Sequence, residues 1–437
     1  MAHIDRREFL RRGAAWTGGL SISGSLLALA ACTDGGGGVG DHGERAPVDM
    51  GDLELPAGFS YRIVSRQGDE MSDGNPTPGM FDGMDAFPGP GGTTVLVRNH
   101  ENRGHPEEIG VVVPDDNRYD PDPERKGGNT KVVIDRDRRL VESFAVLGGT
   151  STNCAGGRTP WGSWITCEET FDAGDPAHGY AFEIDSRASG PVDPAPVRAA
   201  GRMVHEAVAW HNDVLYATED QGDAAFYRVL FDAMPQRPGD LARATGRLEA
   251  LKIVGDDNFT ADTNQEWPVG EGFGVEWVTI GDPEPDDDDV RHQAHELGAA
   301  IFNREEGACV GGGKVYFNCT DAGGAGLGQV WELDPARETI TLIYESPGPE
   351  QLNHPDNLVV GRTGDLFICE DNDSAVHMRR LTPEGQIFDF ARANDNSEFC
   401  GACFDASGRT LFVNQQGDRE QGIPGVTYAI WGPWRSL

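Results

Sequence analysis

Positively charged side chains are scarce in this sequence. Its 437 residues include 36 lysines and arginines against 72 aspartates and glutamates, which gives a formal net charge of −36. Such a field repels the phosphate backbone of nucleic acids, so nucleic acid is excluded as a partner. The acidity is typical of proteins from high-salt habitats and of proteins that need many cation ligands, and composition alone does not separate the two.

Long apolar runs are also missing from most of the chain. Only the N-terminal region approaches the ~20 apolar residues that a membrane-spanning helix requires. There, Arg6 and Arg7 precede an uncharged segment over 13–31, a pattern typical of a twin-arginine export signal. The segment ends in "LAAC", so Cys32 is either a lipid-anchor cysteine or an incidental residue after cleavage near Ala31.

These features predict a signal peptide over 1–31, a flexible tether over 32–50 and a single folded domain over 51–437. We expect the mature protein to reside in the periplasm or outside the cell, with a lipid at Cys32 as its only contact with the membrane. Proteins that use the twin-arginine route cross the membrane already folded, often because a cofactor must be loaded first. We also expect a monomer.

Familiar catalytic motifs are absent as well. The sequence has no GxSxG nucleophile elbow, and the glycines before Lys314 lack the spacing of a phosphate-binding P-loop. The number of cysteines after Cys32 is odd, so they cannot all pair within one chain. Cys400 and Cys403 form a CxxC without the second CxxC that a zinc site would need.

Glycine and proline are abundant, with 59 and 27 copies, and they favour many short strands over long helices. Six strand-like runs end in a polar pair, and the last residues of these pairs are Glu101, Glu169, Asp220, Asp321, Asp371 and Gln416. A polar or metal-binding residue stands 14 to 19 residues before each ending, in the order Asp82, Cys154, Glu206, Glu306, Asp356 and Glu398. A β-hairpin fits each of these intervals.

The repeat predicts an all-β fold, a six-bladed β-propeller with inserted loops, because radial repetition of such units is typical of that architecture. The innermost strands of a propeller start at its central channel, so the six upstream residues should meet on one axis. Together they would repel one another as bare anions, and multivalent cations would relieve that repulsion. We therefore expect a metal site at the central channel.

The donor types indicate two kinds of metal. A thiolate such as Cys154 favours a transition metal, whereas positions that offer oxygen alone suit calcium. The alternative is that each acid faces water and that Cys154 is a small core residue, which is the usual position of an isolated cysteine.

The stretch "NCAGGRTPWGSWITCEE" at 153–169, preceded by "GGT" at 148–150, resembles the signature of the PhoX-type alkaline phosphatases. The segments "RNHE" at 98–101, "REEG" at 304–307 and "HPDN" at 354–357 resemble other blocks of that family. The first block is long and unusual, so the match is specific.

The resemblance extends over roughly residues 50–430. It implies that a six-bladed propeller hydrolyses small phosphate monoesters with two Fe3+ ions and two or three Ca2+ ions. A metal-held oxo or hydroxide group would attack phosphorus, so no protein nucleophile is required.

The resemblance also assigns metal ligands. Cys154 would supply the thiolate of one iron, and Glu169 and Glu206 would be iron or bridging carboxylates. Glu101 and Glu306 would be further carboxylate ligands of the iron–calcium cluster.

Three residues would act on the substrate. Arg304 would contact the phosphate, Asp356 would hold calcium near it, and Glu206 would complete this catalytic group. The calcium candidates are Asp356, Asp371 and Glu398, and the sequence leaves open which of them serve.

Two other functions are compatible with a propeller rich in carboxylates. One is a calcium-dependent lactonase or esterase, and the other is a binding propeller at the cell surface without catalysis. Cys154 argues against the lactonase or esterase, since a calcium site with only oxygen ligands does not need a thiolate. Arg304 beside the acids speaks against the second, because it offers a contact to an anion.

Overall fold

The computed structural model describes residues 47–49, 52–254, 261–372 and 375–437. The predicted signal peptide, Cys32 and the tether up to residue 46 lie outside these residues. No helix in the described ranges is long and apolar enough to cross a membrane.

The described residues are almost entirely β-structure. Short alternating or apolar runs, broken by glycine and polar turns, form β1 (Pro47–Asp49), β2 (Leu53–Pro56), β3 (Ser60–Arg66), β4 (Phe81–Pro88), β5 (Thr94–His100), β6 (Gly127–Ile134), β7 (Leu140–Thr150), β8 (Asn153–Arg158), β9 (Ser163–Glu168), β10 (Ala181–Asp185), β11 (His205–His211), β12 (Val214–Glu219) and β13 (Tyr227–Phe231).

The second half of the chain continues in the same way. It contains β14 (Gly246–Ile253), β15 (Gly272–Thr279), β16 (Glu305–Gly311), β17 (Lys314–Cys319), β18 (Gln329–Asp334), β19 (Thr339–Glu345), β20 (Pro355–Val360), β21 (Leu366–Glu370), β22 (His377–Leu381), β23 (Ile387–Ala393), β24 (Phe399–Phe404), β25 (Thr410–Gln415) and β26 (Val426–Trp431). One α-helix, α1 (Val290–Glu296), lies in the described ranges. Short 3-10 turns cover Pro90–Gly92, Asp115–Asn117, Arg198–Ala200, Leu241–Arg243 and Trp434–Ser436.

Within the described residues these strands form five antiparallel sheets. Their orders are β4-β5-β6-β7, β10-β9-β8, β11-β12-β13-β14-β15-β19-β18-β17-β16, β1-β2-β23-β22-β21-β20 and β24-β25-β26-β3. The last sheet joins the two ends of the domain, since β3 pairs with β26 from Ser60↔Trp431 to Arg66↔Val426. An N-terminal strand that completes a C-terminal sheet closes a circular arrangement of sheets.

One strand from each hairpin of the predicted repeat lies innermost. These strands are β4, β8, β11, β16, β20 and β24; each contacts the next, and β24 contacts β4. They therefore enclose a ring. The predicted all-β, propeller-like fold is confirmed, although the described strands group into five sheets, because the nine-stranded sheet carries β11 at one edge and β16 at the other.

The apolar core lies between packed strand faces, both of neighbouring sheets and of the two halves of the nine-stranded sheet. Phe226, the residue immediately before β13, stacks on Phe317 of β17 with ring centroids 4.4 Å apart. Both rings are fully buried, and the indole of Trp331 in β18 is buried in the same cluster. Burial of such large side chains makes the sheets a rigid frame around the inner strands.

Each inner strand carries a β-bulge at its start. The pairing register shifts between Phe81 and Met84, Asn153 and Gly156, His205 and Val208, Glu305 and Ala308, Pro355 and Leu358, and Cys400 and Cys403. At every shift two residues of the inner strand stand opposite one residue of its neighbour. Bulges re-aim side chains, and here they turn the same position of every inner strand toward the ring axis.

Candidate metal centre

The first residues of the bulges form a lower tier of the site. They are Asp82, Cys154, Glu206, Glu306, Asp356 and Gly401. Five of the six predicted positions are therefore right. Glu398 is displaced, because it stands directly before β24 and the sixth bulge falls on Gly401.

An upper tier consists of the residues that follow the second strand of each hairpin. Glu101, Glu169, Asp220, Asp371 and Gln416 occupy this position as the repeat predicted. In the remaining hairpin β17 ends at Cys319, so Thr320 takes the place that the sequence had assigned to Asp321. Asp321 lies to one side, 3.3 Å from His354 Nε2.

The two tiers come together in three overlapping clusters. In each cluster, one donor atom per residue lies within 4.8 Å of the others: Asp82, Glu101 and Cys154; Cys154, Glu169 and Glu206; Glu206, Glu306 and Asp356. Cys154 and Glu206 each belong to two clusters. The arrangement is thus a continuous row of donor atoms, with its one sulfur near one end.

A cavity of about 350 Å³ opens above this row. Every predicted site residue except Glu206, which is fully buried, lines its wall. Asp371 and Glu398 also line the cavity, and neither belongs to the three close clusters within the described residues. Burial and the neighbouring Asp371 raise the pKa of Glu398.

Side chains of the second strands fix the backbone at the lower tier. Each donates a hydrogen bond to the carbonyl oxygen of a tier residue in the next hairpin: Asn99 to Cys154 at 2.6 Å, Thr218 to Glu306 at 2.7 Å, Asn414 to Asp82 at 2.6 Å, and Asn318 to Asp356. We call these four side chains the carbonyl latches. They hold donor residues of different hairpins at set positions, which favours a preorganised site.

Two glycines let the inner strands approach one another closely. A Cβ on Gly83 would lie 2.6 Å from Ala155 Cα. Gly401 has φ +59, and a Cβ there would lie 2.3 Å from the Asp82 carbonyl oxygen. Any larger residue would push the lower tier apart.

The lower tier holds buried carboxylate oxygens that lack partners. Within the described residues, Glu206 Oε1 and Oε2 and Asp82 Oδ1 accept no hydrogen bond. Burial, followed by the charges of Asp356 and Asp82, raises the pKa of Glu206. An isolated buried carboxylate is costly, so these oxygens fit a role as ligands of a cation.

Cys154 is suited to metal binding by its surroundings. Its Sγ lies 3.3 Å from Asp82 Oδ2 and is buried. Burial and the Asp82 charge raise the pKa of the thiol, so the residue keeps its proton while no cation is bound. A transition metal displaces such a proton and converts the thiol into a thiolate ligand.

Glu168 and Glu169 point in opposite directions. Glu168 accepts hydrogen bonds from Ser151 N at 2.9 Å and Gly179 N at 3.0 Å, and His178 Nδ1 lies 2.7 Å from it. Glu169 lines the cavity. The first carboxylate therefore orders loops, and only the second belongs to the site.

Arg304 lies over the acids with an unusual backbone conformation, φ +52. Its Nε and Nη2 donate to Asp220 at 3.0 and 2.9 Å, and Nη2 also donates to Glu306 at 2.8 Å. The side chain stays 33% exposed. It lines the cavity, where the resemblance implies a contact with the substrate phosphate.

Two further arginines line the same cavity, and sequence reasoning missed both. Arg103 follows the predicted ligand Glu101 by two residues, and Arg419 follows Gln416 by three. The available signal was that both arginines closely follow a residue that ends a hairpin of the repeat. It was weak, because loops after strands often carry charged residues.

The family described as "Alkaline phosphatase PhoX" matches residues 41–418. This chain belongs to the alkaline phosphatase PhoX family. The resemblance in the sequence is thereby confirmed, and so is its main consequence: the chain is an enzyme, a metal-dependent phosphatase. A search of curated proteins finds no match.

The solved structure of a PhoX protein shares this fold. PhoX of Pseudomonas fluorescens, in complex with the transition state analogue vanadate, is 19% identical, with 90% of this chain and 98% of that chain covered and a TM-score of 0.70. Virginiamycin B lyase of Staphylococcus aureus with quinupristin is 12% identical over 85% and 99% of the two chains, with a TM-score of 0.42. A gluconolactonase of Xanthomonas campestris is 12% identical over 89% and 100%, with a TM-score of 0.41.

Proposed function

We propose that this member of the PhoX family hydrolyses small phosphate monoesters at the clustered carboxylates and thiol, with two Fe3+ ions and two or three Ca2+ ions resident there. The observation that carries the proposal is the row of three donor clusters, in which one buried thiol stands among carboxylates, and in which both oxygens of Glu206 and Oδ1 of Asp82 have no hydrogen-bond partner within the described residues. Multivalent cations are the natural complement of such a row.

The donor types support a division between the two metals. Cys154 with Glu169 and Glu206 combines sulfur and oxygen, a set that suits iron. Glu206, Glu306 and Asp356 offer oxygen alone, which suits calcium. Glu101 and Asp82 would hold cations together with Cys154.

Asp371 and Glu398 line the cavity outside the three clusters of the described residues. We assign them to calcium together with Asp356, since all three offer only oxygen donors.

The bound metals would neutralise phosphoryl oxygens and supply an activated oxygen nucleophile. Around them, Arg304 would orient the phosphate, because its guanidinium is already fixed by Asp220 and Glu306 and keeps an exposed edge. Glu206 would hold neighbouring cations at a set distance, since it belongs to two clusters. The cavity of about 350 Å³ would admit the phosphate, and the remainder of the ester would extend from the mouth.

We also propose that the fold is a six-bladed propeller. Support comes from the ring of inner strands and from the bulge that each of them carries. The nine-stranded sheet would contain two blades, joined where β15 extends past β14 to pair with β19 over Gly272–Gly274.

Export by the twin-arginine route, a periplasmic or extracellular location, a lipid at Cys32 and a monomeric state complete the proposal. Arg6, Arg7 and the "LAAC" segment support the first three. Mass spectrometry of the mature N-terminus from native membranes would detect the lipid, and an unmodified N-terminus after residue 31 would contradict it.

The metal assignment is tested by Cys154→Ala. We expect the purified variant to lose iron and to lose phosphatase activity by about 100-fold or more, with an unchanged circular dichroism spectrum. Cys167→Ala is the matched control, since this buried thiol lies on the neighbouring strand opposite the bulge. Elemental analysis and turnover of an aryl phosphate provide the measurements. Full iron content in Cys154→Ala would contradict the assignment.

A further inference from the structure

Arg103 bridges two sheets at the rim of the cavity. Its Nε donates to Glu101 Oε1 at 2.9 Å, and its Nη2 contacts the same oxygen and lies 3.5 Å from Glu169 Oε2. Glu101 follows β5 and Glu169 follows β9, so the guanidinium spans the upper tier between the first two sheets. In spite of these contacts the side chain is 52% exposed.

The backbone that carries Arg103 is held in place. Glu108 Oε2 accepts hydrogen bonds from Gly104 N at 2.9 Å and His105 N at 3.0 Å. Lys126 Nζ donates to the His105 carbonyl at 2.6 Å. Gly104 has φ +87 and fits against the Glu124 carbonyl, where a Cβ would lie 2.7 Å away. The loop therefore presents the arginine with little conformational entropy left to lose on binding.

Arg304 is held by the same design on another part of the rim. Each of the two arginines is fixed by one carboxylate of the upper tier, Glu101 or Asp220, and contacts a second acid of the centre, Glu169 or Glu306. Both line the cavity. Arg103 Nη1 donates no hydrogen bond to any residue in the described ranges, so one edge of its guanidinium remains for a bound anion.

We propose that Arg103 is a second phosphate-binding residue, which grips the phosphoryl group of the monoester from the side of Glu101 and Glu169 while Arg304 holds it from the side of Asp220. This inference rests on the proposed placement of substrate phosphate in the cavity. It predicts a site that selects phosphate dianions, because two guanidinium groups with fixed positions match two negatively charged oxygens.

The test compares Arg103→Met with Arg158→Met in protein loaded with its metals. Arg158 is the matched control, because it is also 52% exposed and is paired with an acid, Asp85. It lines a different cavity, of about 680 Å³, which is formed by the parts of the inner strands that follow the bulges. Binding of inorganic phosphate is measured by calorimetry, turnover of an aryl phosphate by kinetics, and metal content by elemental analysis.

We expect Arg103→Met to weaken phosphate binding and raise KM by about 10- to 100-fold, the loss typical of a charge-assisted hydrogen bond, at unchanged metal content. Arg103→Lys should recover part of the loss, and Arg158→Met should match the wild type. Unchanged phosphate affinity in Arg103→Met would overturn the proposal. A loss of metal that accounts for the weaker binding would also overturn it, because Arg103 would then act through Glu101.

The two proposals fail separately. If wild-type protein binds phosphate but turns over no monoester, the phosphatase assignment fails, and weaker phosphate binding by Arg103→Met still supports the role of this arginine. If wild-type protein turns over the monoester and Arg103→Met binds phosphate equally well, only the role of Arg103 is lost.

Discussion

At the scale of single residues, the adjacent pair Glu168 and Glu169 shows how the site is made. Glu168 ends β9 and faces the space between sheets, where backbone amides and His178 surround it. Glu169 comes one residue later and faces the cavity among other acids, so burial and the charge of Glu101 raise its pKa. Two identical side chains thus serve opposite purposes, one as an organiser of loops and one as a candidate ligand.

Replacement of each glutamate by glutamine should separate these purposes. Glu168→Gln should lower the free energy of unfolding of the metal-free protein by about 2–4 kcal/mol. The reason is that the NH2 group of glutamine cannot accept the hydrogen bonds that backbone N–H groups now donate to the carboxylate. Glu169→Gln should leave that free energy unchanged or raise it, since it replaces a carboxyl group whose ionised form is disfavoured by burial and by Glu101, but it should reduce the metal content. Urea unfolding after chelation and elemental analysis measure the two effects. Equal destabilisation by both changes would contradict the division.

At the scale of elements, the bulge is the unit that builds the site. Each bulge inserts one residue into an inner strand and turns that position toward the ring axis. Four of these residues are then held by a carbonyl latch from a neighbouring hairpin. In the sixth hairpin the bulge residue is Gly401, whose Cα lies against the Asp82 carbonyl. This hairpin therefore supplies space where the others supply a side chain.

The close approach at Gly401 can be tested against a glycine of the same conformation. Gly312 has φ +57 and no atom near its Cβ position, so Gly312→Ala should cost only the strain of that backbone conformation, about 1 kcal/mol. Gly401→Ala should cost about 1–3 kcal/mol more, because the Asp82 backbone must move, and it should lower the metal content as well. Denaturant unfolding gives the comparison. Equal costs at the two positions would show that the contact with Asp82 is unimportant.

At the scale of the whole molecule, acids that are far apart in the sequence are concentrated on one axis. The donors run from Asp82 to Glu398, and they meet because closure of the ring by β3 and β26 brings the first and last sheets together. In the metal-free protein burial raises the pKa of Asp82, Glu206, Glu306 and Asp356, and it raises that of nearby Glu219 to about 8. The stability of the molecule should therefore depend on pH in opposite ways with and without metal.

In the metal-free protein these carboxyls keep protons that the unfolded chain releases above about pH 4, so stability should fall as pH rises toward 8. His205, whose pKa burial lowers to about 4, acts in the opposite sense only below about pH 6.5, and the comparison is therefore made from pH 6.5 to 8. In the loaded protein the ligands are deprotonated, and tighter metal binding should make stability rise over the same range. Urea midpoints with and without chelator measure both slopes, and parallel slopes would contradict a metal site built from these acids.

Much of the fold and the site was predictable from the sequence because the relevant signals are local. Short apolar runs, turn residues and a regular interval specify the hairpins, and the chemistry of Cys154, Glu206 and Glu306 at the hairpin starts indicates a cation site. The block at 153–169 was specific enough to identify the family.

The sequence by itself determined which residue types are available at the start and end of each hairpin. Only the tertiary structure decided which of them face the axis: Gly401 and not Glu398 at the sixth bulge, Thr320 and not Asp321 on the upper tier, and Arg103 over the cavity. The reason is that side chains alternate along a strand, so one inserted residue reverses the face to which everything beyond it points. Where that residue is inserted depends on the packing of neighbouring sheets, which no local pattern in the chain records.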